Sequence, residues 1–502
     1  MADQGEPKQL RENRGTMIAS LANQYCLFFR TPDGVSYAEM KKNDGRREVM
    51  AMGSADYKNY LSALFFKQYG QAPSGQSIND GLAVLKGIAQ FNAMESQVFV
   101  RLARSKGAIW LDLANENREI VKITASGWEV IRSKYPDKLF FVRPHGMYAL
   151  PTPIMTNSSL HLLFKDFLNV QNRSDMQLIL TWLAFTLQKN GAHPILNLIG
   201  EQGTAKSTLC RLLRNTVDPN KAPLTSSPRD LRDSVIAANN SAIIAYDNLS
   251  RIPDWLADAM CRMATGEGFR TRELWTDADE KIFSILRPQI TNSIEDATYR
   301  GDWLDRSVRI MLRDIPDDRR LEDTKLQKQF STAHPKILGA LLTVVSEGMR
   351  RVPKVVLPQK PRMADFAVFG VAIEEVLGFG EGSFLSAYNK NRQQVNNLVV
   401  AANPLGWCLM TLLRDHKNSW KGSNSELLSS LNQILRGDTG DRIRVPRSWP
   451  SNTAELSGAI RRIAPALRKK GVSIVHERNE HARWIQVSYK PEGPKPVEGM
   501  TQ

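Results

Sequence analysis

Residues 197 to 213 read NLIGEQGTAKSTLCRLL. A short apolar run stops at a glycine, passes a second glycine and a lysine, and resumes with leucines at helical spacing. A glycine loop between a strand and a helix is the setting in which backbone N–H groups cradle phosphate. Gly200 and Gly203 let those groups converge, and the following helix offers its positive N-terminal end. Lys206 has the reach for β- and γ-phosphates, Ser207 has the hydroxyl for Mg²⁺, and Thr204, Ala205 and Thr208 complete the loop. ATP with Mg²⁺ is the expected cofactor. The pattern G-x-x-x-x-G-K-[ST] is broken at one letter, since Ala205 stands where the last glycine belongs. One methyl is tolerable there if the residue has negative φ.

Outward from the loop, HPILNLIG (193–200) fits a buried parallel strand, and Leu209, Leu212, Leu213 and Val217 form the apolar stripe of the helix. SAIIAYDN (241–248) is a second apolar strand ending at Asp247, which is placed to hold Mg²⁺ through water. The next residue, Asn248, can orient a water but cannot take its proton. Hydrolysis is then slow, or depends on another acid such as Glu267. LRPQITN (286–292) and RSVRIML (306–312) read as two further strands. Strands alternating with helices between about 191 and 315 predict an open, mostly parallel α/β sheet, and residues 323 to 400 read as almost wholly helical.

The flanks differ in kind. In the first 150 residues, YCLFFRTPDGVSYAEM (25–40) predicts a hairpin turning at Asp33-Gly34, and AIWLDLANENREIVKIT (108–124) predicts another around Asn115 to Asn117. GLAVLKGIAQFNAM (81–94) has helical spacing, and the proline-rich RPHGMYALPTPIM (143–155) reads as a linker closing an α+β domain that carries no catalytic constellation. Beyond Gly406, SELLSSLNQIL (425–435) and AELSGAIRRIAPALRKKG (454–471) are helices, the second with Leu456, Ile460, Ile463 and Leu467 on one stripe and Pro465 placed to kink or split it. VSIVH (472–476) and RWIQVSY (483–489) flank a polar turn and predict a wing, so a winged helix is expected. The expected division is an N-terminal α+β domain at 1–155, a helical collar with the α/β core at 156–320, a helical lid at 321–403, a winged helix at 404–490 and a disordered tail at 491–502.

Charge points to a polyanionic partner. The chain has 67 Lys and Arg against 52 Asp and Glu, a net charge of +15 and a pI near 9.6, and location matters more than the total. From Asp441 to Lys490 there are eight Arg and three Lys against one Asp and three Glu, a net +7. Arg461, Arg462, Arg468, Lys469 and Lys470 lie on the polar faces of the second helix, with Arg478 and Arg483 on the wing. Such residues suit phosphate contacts around a helix in the major groove; a solvated basic face or a protein-binding module is the alternative. Cys26, Cys210, Cys261 and Cys408 form no C-x-x-C pair, and the seven histidines are scattered, which argues against a disulfide framework or a zinc site. No apolar run reaches a membrane span and the N-terminus MADQGEPKQLRENRG is polar, so a cytoplasmic protein is expected.

The series GEQGTAKST, IIAYDN, RPQITNS, WLDRSVRI and LPQKPRMADF resembles the AAA+ ATPase module, in particular superfamily 3 helicases and the poxvirus-type primase-helicases of phages and plasmids, with a likeness to minichromosome maintenance helicases. The resemblance implies an AAA+ core with a helical lid and a subunit ring, a hexamer being the expected size. It makes Asn292 the sensor that orients the attacking water. It makes Arg306 the finger acting on ATP held by a neighbouring subunit, with Arg300 as rival, and Arg362 a second sensor. It also makes GFRTRELWTDADEKIFSILRP (268–288) a hairpin projecting toward DNA, with Arg270, Arg272 and Lys281 as candidate phosphate contacts. The tip carries Asp277, Asp279 and Glu280, so a purely structural insertion stays open. The first 150 residues resemble the region preceding the ATPase in such proteins but lack a paired acidic primase motif, which leaves priming to a separate protein. The function expected is an ATP-dependent DNA helicase or translocase, acting on single-stranded or forked DNA in replication of a phage, plasmid or integrated mobile element. An ATP-switched initiator or loader that does not unwind is the alternative, and Asn248 favours it. A small-molecule kinase fits the loop but not the basic C-terminal module.

Overall fold

The computed structural model describes residues 13–41, 47–132, 136, 138–188, 191–272, 280–298, 300–436, 449–478 and 483–490; the side chains of 41, 269–272, 280–284, 478 and 483 lie outside the described set. The chain opens with α1 (Arg14–Tyr25) and the strands β1 (Cys26–Arg30), β2 (Ser36–Lys41) and β3 (Arg47–Ala51), followed by α2 (Ala55–Tyr69), α3 (Gly75–Phe91) and β4 (Met94–Glu95). These strands form one sheet in the order β3-β2-β1-β4. The β1–β2 turn has Gly34 at φ 79°, as its Asp-Gly sequence requires. Ser54 and Ser74 accept hydrogen bonds from Tyr57 N and Ser77 N and start the two helices. Gly81 lets α3 close on α1: a Cβ there would lie 2.9 Å from the Gly15 carbonyl oxygen. Ile18, Phe28, Met40, Tyr57, Leu61 and Leu85 are the core of this unit.

Residues 1–155, expected to form one α+β domain, build more than one sheet. After β5 (Val98–Phe99), a meander of β6 (Leu102–Ser105), β7 (Ala108–Asp112), β8 (Ile120–Thr124) and β9 (Gly127–Ile131) makes a second antiparallel sheet, and β10 (Phe140–Phe141) pairs with β5. Every residue of β7 is buried, because the meander packs into the central core: Ile109, Leu111, Val121 and Ile123 share a cluster with Leu178, Leu209 and Leu341. The segment read as a linker is tied down along its length. Tyr148 N donates to Pro219 O at 2.9 Å and Ile154 N to Pro335 O at 2.9 Å. The buried Arg101 ties the meander to the chain around residue 218, reaching Asp218 Oδ1 at 3.4 Å, Asp112 O at 3.1 Å and Tyr148 O at 2.6 Å.

The centre is a sheet of four parallel strands. It follows α4 (Leu160–Phe164) and α5 (Arg173–Phe185) and comprises β11 (Ile195–Ile199), α6 (Lys206–Val217), α7 (Leu231–Asn239), β12 (Ile244–Tyr246), α8 (Asp254–Thr265), the hairpin β13 (Gly268–Arg272) and β14 (Glu280–Ser284), β15 (Gln289–Ser293), α9 (Gly301–Leu304) and β16 (Ser307–Met311). The strand order is β12-β15-β11-β16, with Leu198 opposite Asn292 and Ile195 opposite Ser307. Parallel strands bring their C-terminal ends to one edge, which collects residues 200, 247 and 292. The predicted helical region follows as α10 (Asp323–Arg351), α11 (Ala364–Ile373) and α12 (Ser383–Ala402).

The C-terminal unit runs α13 (Pro404–Asp415), β17 (Ser419–Gly422), α14 (Asn424–Arg436), α15 (Thr453–Lys469), β18 (Val472–Arg478) and β19 (Arg483–Tyr489), with strand order β17-β19-β18. Leu456, Ile460, Ile463 and Leu467 are buried against Leu427 and Leu431. Pro465 lies inside α15, which continues through it to Lys469 instead of splitting. The tail at 491–502 lies outside the described residues. Among the described residues, no single helix is long and apolar enough to cross a membrane, and no cluster of His, Cys, Asp or Glu could hold a metal ion by itself.

Candidate functional site

The loop leaves β11 at Gly200 and folds tightly before α6. A Cβ at Gly200 would sit 2.7 Å from Thr204 Oγ1, and one at Gly203, where φ is +89°, would sit 3.0 Å from Arg320 Nη2. Thr204 Oγ1 donates to Glu201 O at 2.9 Å and fixes the bend. Lys206 folds back across the loop, its Nζ donating to Gly200 O at 2.7 Å and Glu201 O at 2.6 Å. Burial lowers its pKa, against the pull of Asp247. Thr208, half-buried, lies in the first turn of α6. The condition set for Ala205 is not met: its φ is +61° and ψ 29°. It occupies the left-handed region that glycine enters freely and an L-residue enters at a cost of about 1 kcal/mol.

One helix and two strands meet at one carboxylate. Ser207 Oγ donates to Asp247 Oδ1 at 2.7 Å, and Asn292 Nδ2 donates to the same oxygen at 2.6 Å. Asn292 Oδ1 accepts from the backbone N–H of Asn248 at 2.8 Å, so the buried amide of β15 positions the turn after β12. Asn248 is exposed with φ +52°. Behind them Asn292 Nδ2 also lies 3.3 Å from Cys210 Sγ, and burial pushes that thiol up to about 12. The amide therefore faces a neutral thiol.

Sequence reasoning missed two residues at this edge. Asn169 Nδ2 donates to Thr204 O at 3.1 Å and to Arg313 O at 2.5 Å, stapling the loop to the segment after β16. Arg320 stands beside Gly203 and pairs with Asp317 at 3.3 Å. Neither belongs to a spaced motif; both arrive from distant parts of the chain.

The predicted arginines lie at the other edge. Arg306 immediately precedes β16 and its carbonyl accepts from Ile195 N at 2.8 Å, a strand length of about 15 Å from the loop of its own chain. Its Nη1 donates to Asp302 O at 3.0 Å, and its buried Nε has no partner among the described residues. The rival Arg300 is committed internally, with Asp254 at 3.5 Å, Asp258 at 2.6 Å and Asp302 at 2.8 Å. The hydrogen bond to Asp302 is the largest of several influences raising its pKa. Arg362, expected as a second sensor, stands 3.9 Å from Asp305 at this same edge and away from Lys206. Glu267 is here too, since it follows an α8 whose Ala264 carbonyl accepts from His193 N at 2.8 Å, just before β11. It is therefore remote from the Asp247 of its own chain.

The basic C-terminal residues divide between two surroundings. Arg462 and Lys469, both exposed, line a cavity of about 530 Å³ shared with Asp302, Asp305 and Arg362, whereas the exposed Arg461 and Arg468 and the half-buried Lys470 do not line it. The side chains of Arg270, Arg272, Lys281, Arg478 and Arg483 lie outside the described residues, as does the hairpin tip at 273–279 with Asp277 and Asp279.

Two family models match the chain. One, described as an actinomycete integrative conjugative element replication protein, covers residues 161–397; the other, described as the AICE RepA C-terminal domain, covers 406–497. Together they span 329 of the 502 residues. No curated protein matches significantly. Among solved structures, the apo structure of the NrS-1 C-terminal region is 11% identical, covering 96% of this chain and 100% of that one at a TM-score of 0.40. An A-form apo structure of the same region is 12% identical, with coverages of 95% and 99% and a TM-score of 0.40.

Proposed function

Starting from a chain that its family models identify as a replication protein of an actinomycete integrative conjugative element, we propose that it is an ATP-dependent DNA helicase or translocase working as a ring, with six subunits the expected number. One observation carries the nucleotide reading: Ser207 and Asn292 converge on Asp247 Oδ1 beside a glycine loop headed by Lys206. The residues fit the cofactor. Glycines at 200 and 203 leave the loop floor free of side chains, and the two carbonyls that now hold the ammonium of Lys206 are acceptors that phosphate oxygens replace.

Mg²⁺-ATP, when bound, supplies the phosphoryl group and the charge neutralisation for its transfer to water. Lys206 would then turn from its own loop to the β- and γ-phosphates. Ser207 would ligate the metal directly and Asp247 through water. Asn292 would orient the attacking water, and Asn248, next to it, can assist only as a dipole. Arg306 cannot reach the loop of its own chain, which supports its action on a neighbouring subunit and hence assembly; Arg362 on the same edge fits the same arrangement.

DNA binding is assigned to the C-terminal unit, whose helix–strand–helix–helix–strand–strand order matches that of a winged helix, with Arg461, Arg462 and Arg468 exposed on α15. Strand displacement on a forked duplex tests the whole reading: ATP-dependent displacement is expected, abolished in Lys206→Ala. The second reading, an ATP-switched initiator or loader, is favoured by Asn248, which offers no carboxylate to the water. ATP-dependent assembly on DNA without displacement would establish it over the motor.

A further inference from the structure

One carboxylate at the arginine edge has two cationic partners. Asp305 directly precedes Arg306, and its Oδ2 lies 3.9 Å from Arg362 Nη1. Lys469, at the end of α15, reaches both oxygens, with Nζ 2.6 Å from Oδ1 and 2.8 Å from Oδ2. Nearby, Asn396 Nδ2 donates to Ala466 O at 3.0 Å, and the cavity of about 530 Å³ separates the rest of this face of α15 from α9. Lys469 is 41% exposed and Asp305 32%, so the pair is solvated and easily exchanged. A solvated pair shifts an equilibrium by a factor of about five at most. The helix assigned to DNA thus spends one of its cations on the residue beside the finger.

We propose that Asp305 is a positioning residue that couples polyanion binding on α15 to the alignment of Arg306 and Arg362; this rests on the reading of Arg306 as a finger. While Lys469 holds Asp305, the carboxylate is shared and the C-terminal unit is latched to α9. A nucleic-acid phosphate that takes Lys469 leaves Asp305 to Arg362 and frees the turn carrying Arg306. The coupling is reciprocal: a neighbouring subunit that draws Arg306 toward its nucleotide pulls the adjoining Asp305 from Lys469 and raises the affinity of α15 for phosphate. A modest gain is what a switch needs, because a strong internal pair would not yield to DNA.

The test uses the full chain, a mixed-sequence duplex oligonucleotide and the variants Lys469→Ala and Lys469→Arg. Without oligonucleotide, Lys469→Ala is expected to speed amide hydrogen exchange across residues 301–306 by about fivefold. Oligonucleotide is expected to do the same in the wild type, and Lys469→Arg, which keeps the charge, is expected to match the wild type. ATP turnover without DNA should rise in Lys469→Ala and respond less to oligonucleotide. Unchanged exchange at 301–306 in Lys469→Ala would overturn the latch, as would protection of α15 by oligonucleotide with no response at 301–306. Failure of oligonucleotide to protect α15 would overturn the polyanion half of the proposal. A wild type that turns over no ATP would sink the motor reading instead, because the exchange difference between Lys469→Ala and wild type needs neither ATP nor DNA.

Discussion

The two edges of the central sheet are built to different rules. At the loop edge every polar group that the chemistry needs already touches another: Lys206 holds its own carbonyls, and Ser207, Asp247, Asn292 and the Asn248 N–H form one chain of hydrogen bonds. At the opposite edge Arg306 has a single backbone acceptor and a buried Nε without a partner among the described residues, while Arg362 reaches its nearest carboxylate only at 3.9 Å. Ser207, Asp247 and Asn292 meet within one chain, whereas Arg306 and Arg362 keep hydrogen-bonding capacity in reserve. Under the proposed function this contrast is that of a shared site, in which one copy holds the nucleotide and another supplies the cation.

The largest effect expected from breaking this contrast is at Arg306. Arg306→Ala should leave nucleotide binding unchanged and lower turnover by about 10³-fold, the usual worth of such an arginine. Mixing it with Lys206→Ala, inactive at its own loop, should restore part of the activity, because a mixed ring contains sites with an intact loop and an intact finger. Turnover that survives in Arg306→Ala, or a mixture that never exceeds its components, would dissolve the two-edge picture. Arg300 is a poor substitute, since three carboxylates hold it in place.

A smaller effect is expected from two buried histidines. His193 precedes β11 at the arginine edge and His334 lies in α10 with its ring nitrogen 3.1 Å from Thr216 O, near the end of α6. Burial lowers their pKa values to about 3 and about 4. A histidine held neutral when folded stabilises the fold above its unfolded pKa of about 6.5, and that stability is lost as pH falls toward the folded value, because the unfolded chain binds the proton first. Each should therefore remove about 1.4 kcal/mol of stability per pH unit between about pH 6 and 4. Denaturant titrations across that range should show the slope halved in whichever of His193→Gln and His334→Gln removes a titrating group. An unaltered slope in both would mean that the two histidines sit in a wetter core than the packing indicates.

Much of the loop edge was legible in the sequence, and the reason is local. A strand that ends in glycine, a lysine at the head of a helix and an acid at the end of the next apolar run are each encoded within about ten residues. The strand order β12-β15-β11-β16 was not legible, because it depends on where each crossover lands; the same uncertainty hid the edge on which Arg362 and Glu267 lie. Asn169 was invisible for a related reason: it staples the loop from 35 residues away. The apolar run AIWL of β7 does carry a signal that this strand is covered on both sides. Buried partners identical in polarity cannot be told apart by periodicity alone.

The smallest expected effect sharpens the comparison at its one strained point. Ala205 holds φ +61° at the residue that leads into α6. The methyl costs about 1 kcal/mol in this conformation, and glycine returns part of that through its greater freedom when unfolded. Ala205→Gly should therefore raise stability by about 0.5 kcal/mol, read as a higher denaturant midpoint at constant slope. It should also leave nucleotide affinity unchanged or slightly tighter, because a relaxed loop points its N–H groups at phosphate without strain. A loss of affinity would show that the alanine's backbone holds the loop in its binding shape, and that the odd letter of the motif is there for the ligand instead of in spite of it.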